Sequence, residues 1–223
     1  MLPRTTPPSS DSATDRRPSP VGAVRSALAR RRGLRLLTAG LAGLLTLAGV
    51  VVLEFSPATD VYQGRLQNRL ATQLQKPATR VAYAARRLGE GDSLTRLRIP
   101  AIGVNVVVVE GTSASALRAG AGHYRGTPLP GEAGNVAIAG HRTTYGKPFA
   151  DLDRLTLADD ILLETPLGSY RYRVARQPFV VDRTDWSPVT NGPGRTLTLT
   201  TCHPKRSDRQ RLVVQAELVP VEG

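Results

Sequence analysis

Cysteine is nearly absent from this 223-residue chain: Cys202 is the single one. That excludes an intramolecular disulfide framework, so folding does not depend on an oxidising compartment. Aromatic residues make up only 4%, with one Trp, and acidic residues are outnumbered 18 to 30 by Lys and Arg. The net charge of +12 invites a nucleic-acid reading, but basic grooves for nucleic acid are interleaved with stacking aromatics, and here these are too few. Histidine occurs three times and the carboxylates are scattered, so no Cys/His spacing fits a zinc site and no metal or cofactor is expected.

What is present falls into distinct zones. Residues 1–20 are rich in Pro, Ser, Thr and Asp without apolar periodicity, a composition that cannot bury a core. Eight arginines and two aspartates precede Leu36, so half of the net charge is local. Residues 1–35 are therefore expected to form a disordered basic tail. Leu36–Leu53 follows, eighteen residues without a charge. At about 1.5 Å per residue such a helix just crosses a hydrocarbon core. It has no polar face, unlike a soluble helix, and no small-residue cleavage site follows, unlike a signal peptide. A single-pass transmembrane helix over 36–53 is expected. Its arginine flank places the N-terminus in the cytoplasm and the rest of the chain outside, at the cell membrane.

Residues 54–92 read as an extracytoplasmic helical stalk. Tyr62, Leu66, Leu70 and Leu74 recur every four residues after Asp60, and the narrow stripe would also suit a helix lying on another surface. Residues 93–223 turn to β. Leu94–Pro100, Val104–Glu110, Val136–Ala139, Asp160–Thr165, Gly168–Gln177 and Phe179–Arg183 are strand-like, Gly120–Asn135 is a looping connection, and short helices are expected at Ser113–Arg118 and Phe149–Leu155. Many short strands with Gly/Pro turns imply a mainly β barrel or sandwich.

Chemistry concentrates in Arg195–Val214. Thr196 to Thr200 alternate strictly between Thr and Leu, the period of a half-buried strand, and Cys202 stands at its end before His203-Pro204. His203 is a poor partner for the thiol, since neighbours on an extended backbone face opposite ways. His123 lies in the Gly/Pro connection and suits a structural role. His141 follows the strand Val136–Ala139 and mirrors the placement of Cys202. A thiol of ordinary pKa about 8.5 is mostly protonated at neutral pH, and a nearby imidazolium favours the thiolate. An arginine could stabilise an oxyanion; Arg209 and Arg211 share a parity, and the residues alone do not choose between them. The competing reading is a buried, inert cysteine.

Thr198-Leu199-Thr200-Thr201-Cys202 resembles the TLxTC motif of sortases, the cysteine transpeptidases of Gram-positive cell surfaces, and Ala139-Gly140-His141-Arg142 resembles their histidine segment. Gly140–Gly146 with Thr201–Pro204 is most similar to class E sortases of actinobacteria. The likeness covers about Ser93–Leu218. It implies an eight-stranded sortase β-barrel, with Cys202 as nucleophile, His141 as acid/base and Arg211, which opens the strand after the cysteine, as oxyanion arginine. It further implies substrate contacts from Thr200, Thr201 and Tyr145. The partners implied are secreted proteins bearing an LAxTG- or LPxTG-like C-terminal sorting signal, with a cell-wall precursor or pilin amine as acceptor. One departure is Leu155–Asp160, where many relatives have a glycine before the acid. Papain-like enzymes place Cys before His, and L,D-transpeptidases use an SxGC-type segment that is missing here. A basic envelope protein without activity is the third reading.

Overall fold

The computed structural model describes the backbone of residues 20–220 and the side chains of residues 35–49 and 62–220. The chain divides into two compact units, Met1–Glu54 and Phe55–Gly223. Helical backbone (α1) covers Pro20–Leu74. Proline suits a first helical turn, and the Ala, Leu and Arg that follow are strong helix formers. Of the tail expected over 1–35, residues 20–35 carry this helical backbone, while residues 1–19 lie outside the described ones. Leu36, Leu37, Leu41, Leu44, Leu45 and Leu47 are each more than half exposed. Among the described residues no helix is long and apolar enough to cross a membrane. The expected span over 36–53 runs on into residues 50–53, whose side chains lie outside the described ones.

The second unit is built on strands β1 (Ser93–Ile99), β2 (Val104–Glu110), β3 (Ala121–His123), β4 (Gly134–Ala139), β5 (Asp160–Thr165), β6 (Gly168–Val174), β7 (Phe179–Asp182), β8 (Arg195–His203) and β9 (Gln210–Leu218). Their pairing order is β6-β5-β1-β2-β3-β4-β8-β9, and β9 pairs back onto β6. Eight strands therefore close a barrel, as expected. β9 is shared: Gln210–Val213 pair with β7, which lies outside the ring, and Ala216–Leu218 pair with β6. Two neighbours are parallel, β2 with β3 and β4 with β8. Parallel strands cannot be joined by a tight hairpin, so longer connections cross over between them.

Inside the ring, Leu97, Ile99, Val108, Ile138, Phe149, Leu152, Leu163, Leu197, Leu199 and Val214 form the core. The valine run of β2 serves two cores. Val106 and Val108 point into the barrel, while Val107 and Val109 meet Leu66, Leu70 and Ala71 of α1 and Ala116 and Ala119 of α3 (Ala114–Ala119) on the outside. An uninterrupted apolar strand is what burial on both faces demands.

The segment expected as a stalk is docked instead. The Gln67 amide accepts from Val107 N (2.7 Å) and donates to Val107 O (3.3 Å) and Ala119 O (2.6 Å). Leu70 and Leu74 are buried, and α2 (Pro77–Ala84) buries Thr79 and Tyr83. The connection Gly120–Asn135 is likewise not all loop, because β3 bridges β2 and β4 within it.

Candidate active site

β4 and β8 run parallel with Ala139 opposite Thr200. Two residues further on, each strand end carries a reactive side chain: His141 on one, Cys202 on the other. Alternation along β8 turns Leu197 and Leu199 into the barrel, and Thr198, Thr200 and Cys202 onto the outer face. On its other side β8 pairs with β9, with Cys202 opposite Arg211. The Arg211 Nη1 lies 3.7 Å from the Cys202 Sγ and also donates to the carbonyls of Asp208 (3.0 Å) and Gln210 (3.1 Å). The structure separates the two arginines that share a parity: Arg211 is half-buried against the thiol, and Arg209 is exposed in the preceding loop.

His141 sits in a loop, half-buried, with its ring 5.1 Å from that of Tyr145. Arg118 of α3 stands over the Tyr145 ring, 5.9 Å from its centroid. Burial, then the positive charge of Arg118, lowers the His141 pKa below its ordinary 6.5. The shift favours the neutral ring, the form that can accept a proton. The loop needs unusual backbone: Tyr145, Gly146 and Lys147 have φ of 49°, 68° and 51°. At Gly140 a Cβ would come within 2.6 Å of Phe149, so only glycine lets the strand end lie against that ring.

The remaining expected residues part company. Thr200 is buried on the outer face with its hydroxyl 3.0 Å from the Tyr124 hydroxyl. Thr201 faces the other way, 3% exposed, and donates to the Gly140 carbonyl at 2.7 Å. That hydroxyl is thus turned from the thiol's face and ties β8 to the end of β4. His123 is fully enclosed between Glu110 Oε2 (2.9 Å), Thr127 Oγ1 (2.9 Å) and Pro128 O (3.1 Å). Trp186, 61% exposed, packs edge-on at 6.4 Å to Tyr124 beside the same outer face.

Two residues near the site escaped sequence reasoning. Arg118 steadies Tyr145, and Arg142, 4% exposed, contacts the backbone of Cys202. Arg142 stands in the histidine segment, but nothing in a sequence with 30 basic residues marks it as buried, and nothing marks Arg118.

Residues 97–219, more than half of the chain, match the sortase domain. Sortase SrtE1 of Streptomyces coelicolor is 31% identical over 221 residues, covering 90% of this chain and 63% of that protein. The chain thus spans less than two thirds of the length of that relative. Among solved structures, a Clostridium perfringens sortase D5 transpeptidase superposes with a TM-score of 0.62 at 26% identity, covering 71% of this chain and 98% of the other. Sortase E1 from S. coelicolor with a tripeptide in the active site gives 0.54 at 32%, covering 58% and 90%. By the extent of the domain match and the closed barrel that carries it, this chain belongs to the sortase family, with class E sortases of Streptomyces among its relatives.

Proposed function

We propose that this protein is a membrane-anchored cysteine transpeptidase that cuts a C-terminal sorting signal after Thr and transfers the new acyl end to an amine. The observation that carries this reading is the guanidinium of Arg211 at 3.7 Å from the Cys202 thiol, on paired positions of adjacent strands. A permanently charged donor beside a nucleophile is what a tetrahedral oxyanion requires.

In the first half-reaction, neutral His141 takes the thiol proton and Sγ attacks the carbonyl carbon of the Thr. Arg211 holds the oxyanion that forms. As the C–N bond breaks, the imidazolium gives its proton to the departing Gly nitrogen, leaving a thioester on Cys202. An amine from a cell-wall precursor or pilin subunit then adds to the thioester, its proton passes to His141, and the thiolate leaves. Water in that position would make the enzyme a hydrolase. Tyr145, packed on His141, and Thr200, on the face of the thiol, are the proposed substrate contacts. The class E likeness implies a signal of LAxTG type, and the tripeptide in the active site of sortase E1 supports a peptide ligand for the family.

The anchor is the uncharged run 36–53 behind its arginine flank, and the exposure of its leucines from Leu36 to Leu47 supports a lipid-facing role. The positive flank puts the N-terminus in the cytoplasm and the barrel outside. A C-terminal reporter active only in the cytoplasm would reverse that orientation. For the chemistry, peptides of LAxTG and LPxTG type are offered with a defined amine acceptor, and a thiol-reactive mimic of the signal is used to label Cys202. Labelling that is absent, or unchanged in His141→Ala, would overturn the transpeptidase reading.

A further inference from the structure

Beyond Ala139 and Thr200, β4 and β8 share no strand pairing. Other bonds bridge the gap at the rim. Gly140 N donates to Thr200 O (3.1 Å), and the Thr201 hydroxyl donates back to Gly140 O. One residue past His141, the Arg142 side chain turns inward. Its Nη1 donates to the Cys202 carbonyl (3.3 Å) and to His203 Nδ1 (2.8 Å), and its Nη2 lies 2.9 Å from Asp153 Oδ2. The Nε is buried with no partner, and Asp153 is 46% exposed. A guanidinium can only donate, so His203 Nδ1 is the acceptor in this contact.

We propose that Arg142 is a positioning residue, which sets the spacing of the His141 imidazole and the Cys202 thiol by gripping the backbone of one from the position next to the other. This rests on the acyl-transfer reading above. A buried guanidinium is costly to a fold unless its donors are matched, and here one donor is unmatched and the sole carboxylate is partly in water. Core packing alone would be served better by an apolar side chain. The bonds that are made run to the nucleophile strand: to the carbonyl of Cys202 and to the residue after it. Lysine keeps the charge but cannot span three acceptors in a plane.

The test uses the full chain in detergent, with Arg142→Lys, His203→Gln, Asp153→Asn and the Arg142→Lys/His203→Gln double variant. Arg142→Lys is expected to lower kcat on an LAxTG peptide about 10²-fold, the scale of a 1 Å misplacement, with KM little changed. Its effect and that of His203→Gln should combine non-additively, since both act through one contact. Iodoacetamide alkylation of Cys202, which needs no sorting signal, should slow several-fold. Retained kcat and alkylation rate, a loss seen only in KM, or strictly additive effects would overturn the proposal. If Arg142→Lys does not fold, the two partner variants decide: kcat unchanged in both overturns it, and a selective fall in kcat supports it. If the unaltered chain turns over no peptide, that failure belongs to the acyl-transfer reading, and the alkylation rates alone judge Arg142.

Discussion

Cys202 and His141 occupy equivalent places, two residues past a paired position at the ends of parallel strands, but they are held differently. Cys202 is still within a strand. Its neighbours pair residue by residue with β9 as far as His203 opposite Gln210. His141 has left its strand, and the loop that carries it relies on three successive left-handed residues, a ring contact to Tyr145 and a glycine against Phe149. One partner is located by a ladder, which resists displacement because every residue contributes bonds. The other is located by side-chain contacts and backbone conformations that single substitutions can upset.

The first prediction isolates the ladder side. Cys202→Ala should abolish turnover and leave the melting temperature within a few degrees, because the pairing of β8 does not involve the sulfur. A large loss of stability in thermal unfolding would mean that the strand end is not rigidly held. Next in size, Arg211→Ala should lower kcat/KM by about 10²–10³-fold, the usual loss for an oxyanion donor, while Arg209→Ala should do little. Steady-state kinetics showing equal losses would erase the distinction drawn from the β9 register.

The third probes the loop. At Gly146 an added Cβ would meet the Gln63 amide and adopt a φ of 68°. Gly146→Ala should therefore cost about 1–2 kcal/mol in backbone strain alone, lower the melting temperature, and reduce kcat/KM roughly tenfold as Tyr145 shifts. Unchanged kinetics would show that the loop tolerates more than its geometry suggests. The smallest effect is electrostatic. The folded pKa of His141 lies below 6.5, so on acidification the unfolded chain takes up this proton first. Stability contributed at this site is full above pH 6.5 and falls as the pH drops through 6.5 towards the lowered value. Chemical denaturation of His141→Gln across that window should show a shallower pH dependence than the unaltered chain; an identical slope would remove the assigned burial effect.

Strand β8 was legible because five residues of strict alternation admit little else, and the valine run announced β2. β3 was not legible: Ala121-Gly122-His123 is too short to show a period and sits among turn-forming residues. The stripe Leu66, Leu70 and Leu74 was visible, but a sequence shows that a face is apolar and not what covers it. The thiol and its candidate base were found by their positions at strand ends. The choice of Arg211 needed family likeness before the register gave it a physical basis. Arg142 stood in the histidine segment, but its inward turn could not be read, since a buried guanidinium and a solvated one are the same letter.

The amide of Gln67 has a practical consequence for how far the chain can be shortened. It answers both hydrogen-bonding groups of Val107 and the carbonyl of Ala119, so one helical side chain takes the place of a missing strand neighbour. A fragment beginning at Ser93 would keep every barrel strand yet strip those partners, uncovering Val107 and Val109 at the same time. Each buried group left unmatched costs about 1–3 kcal/mol. The smallest fragment that retains these contacts must therefore start before Gln67.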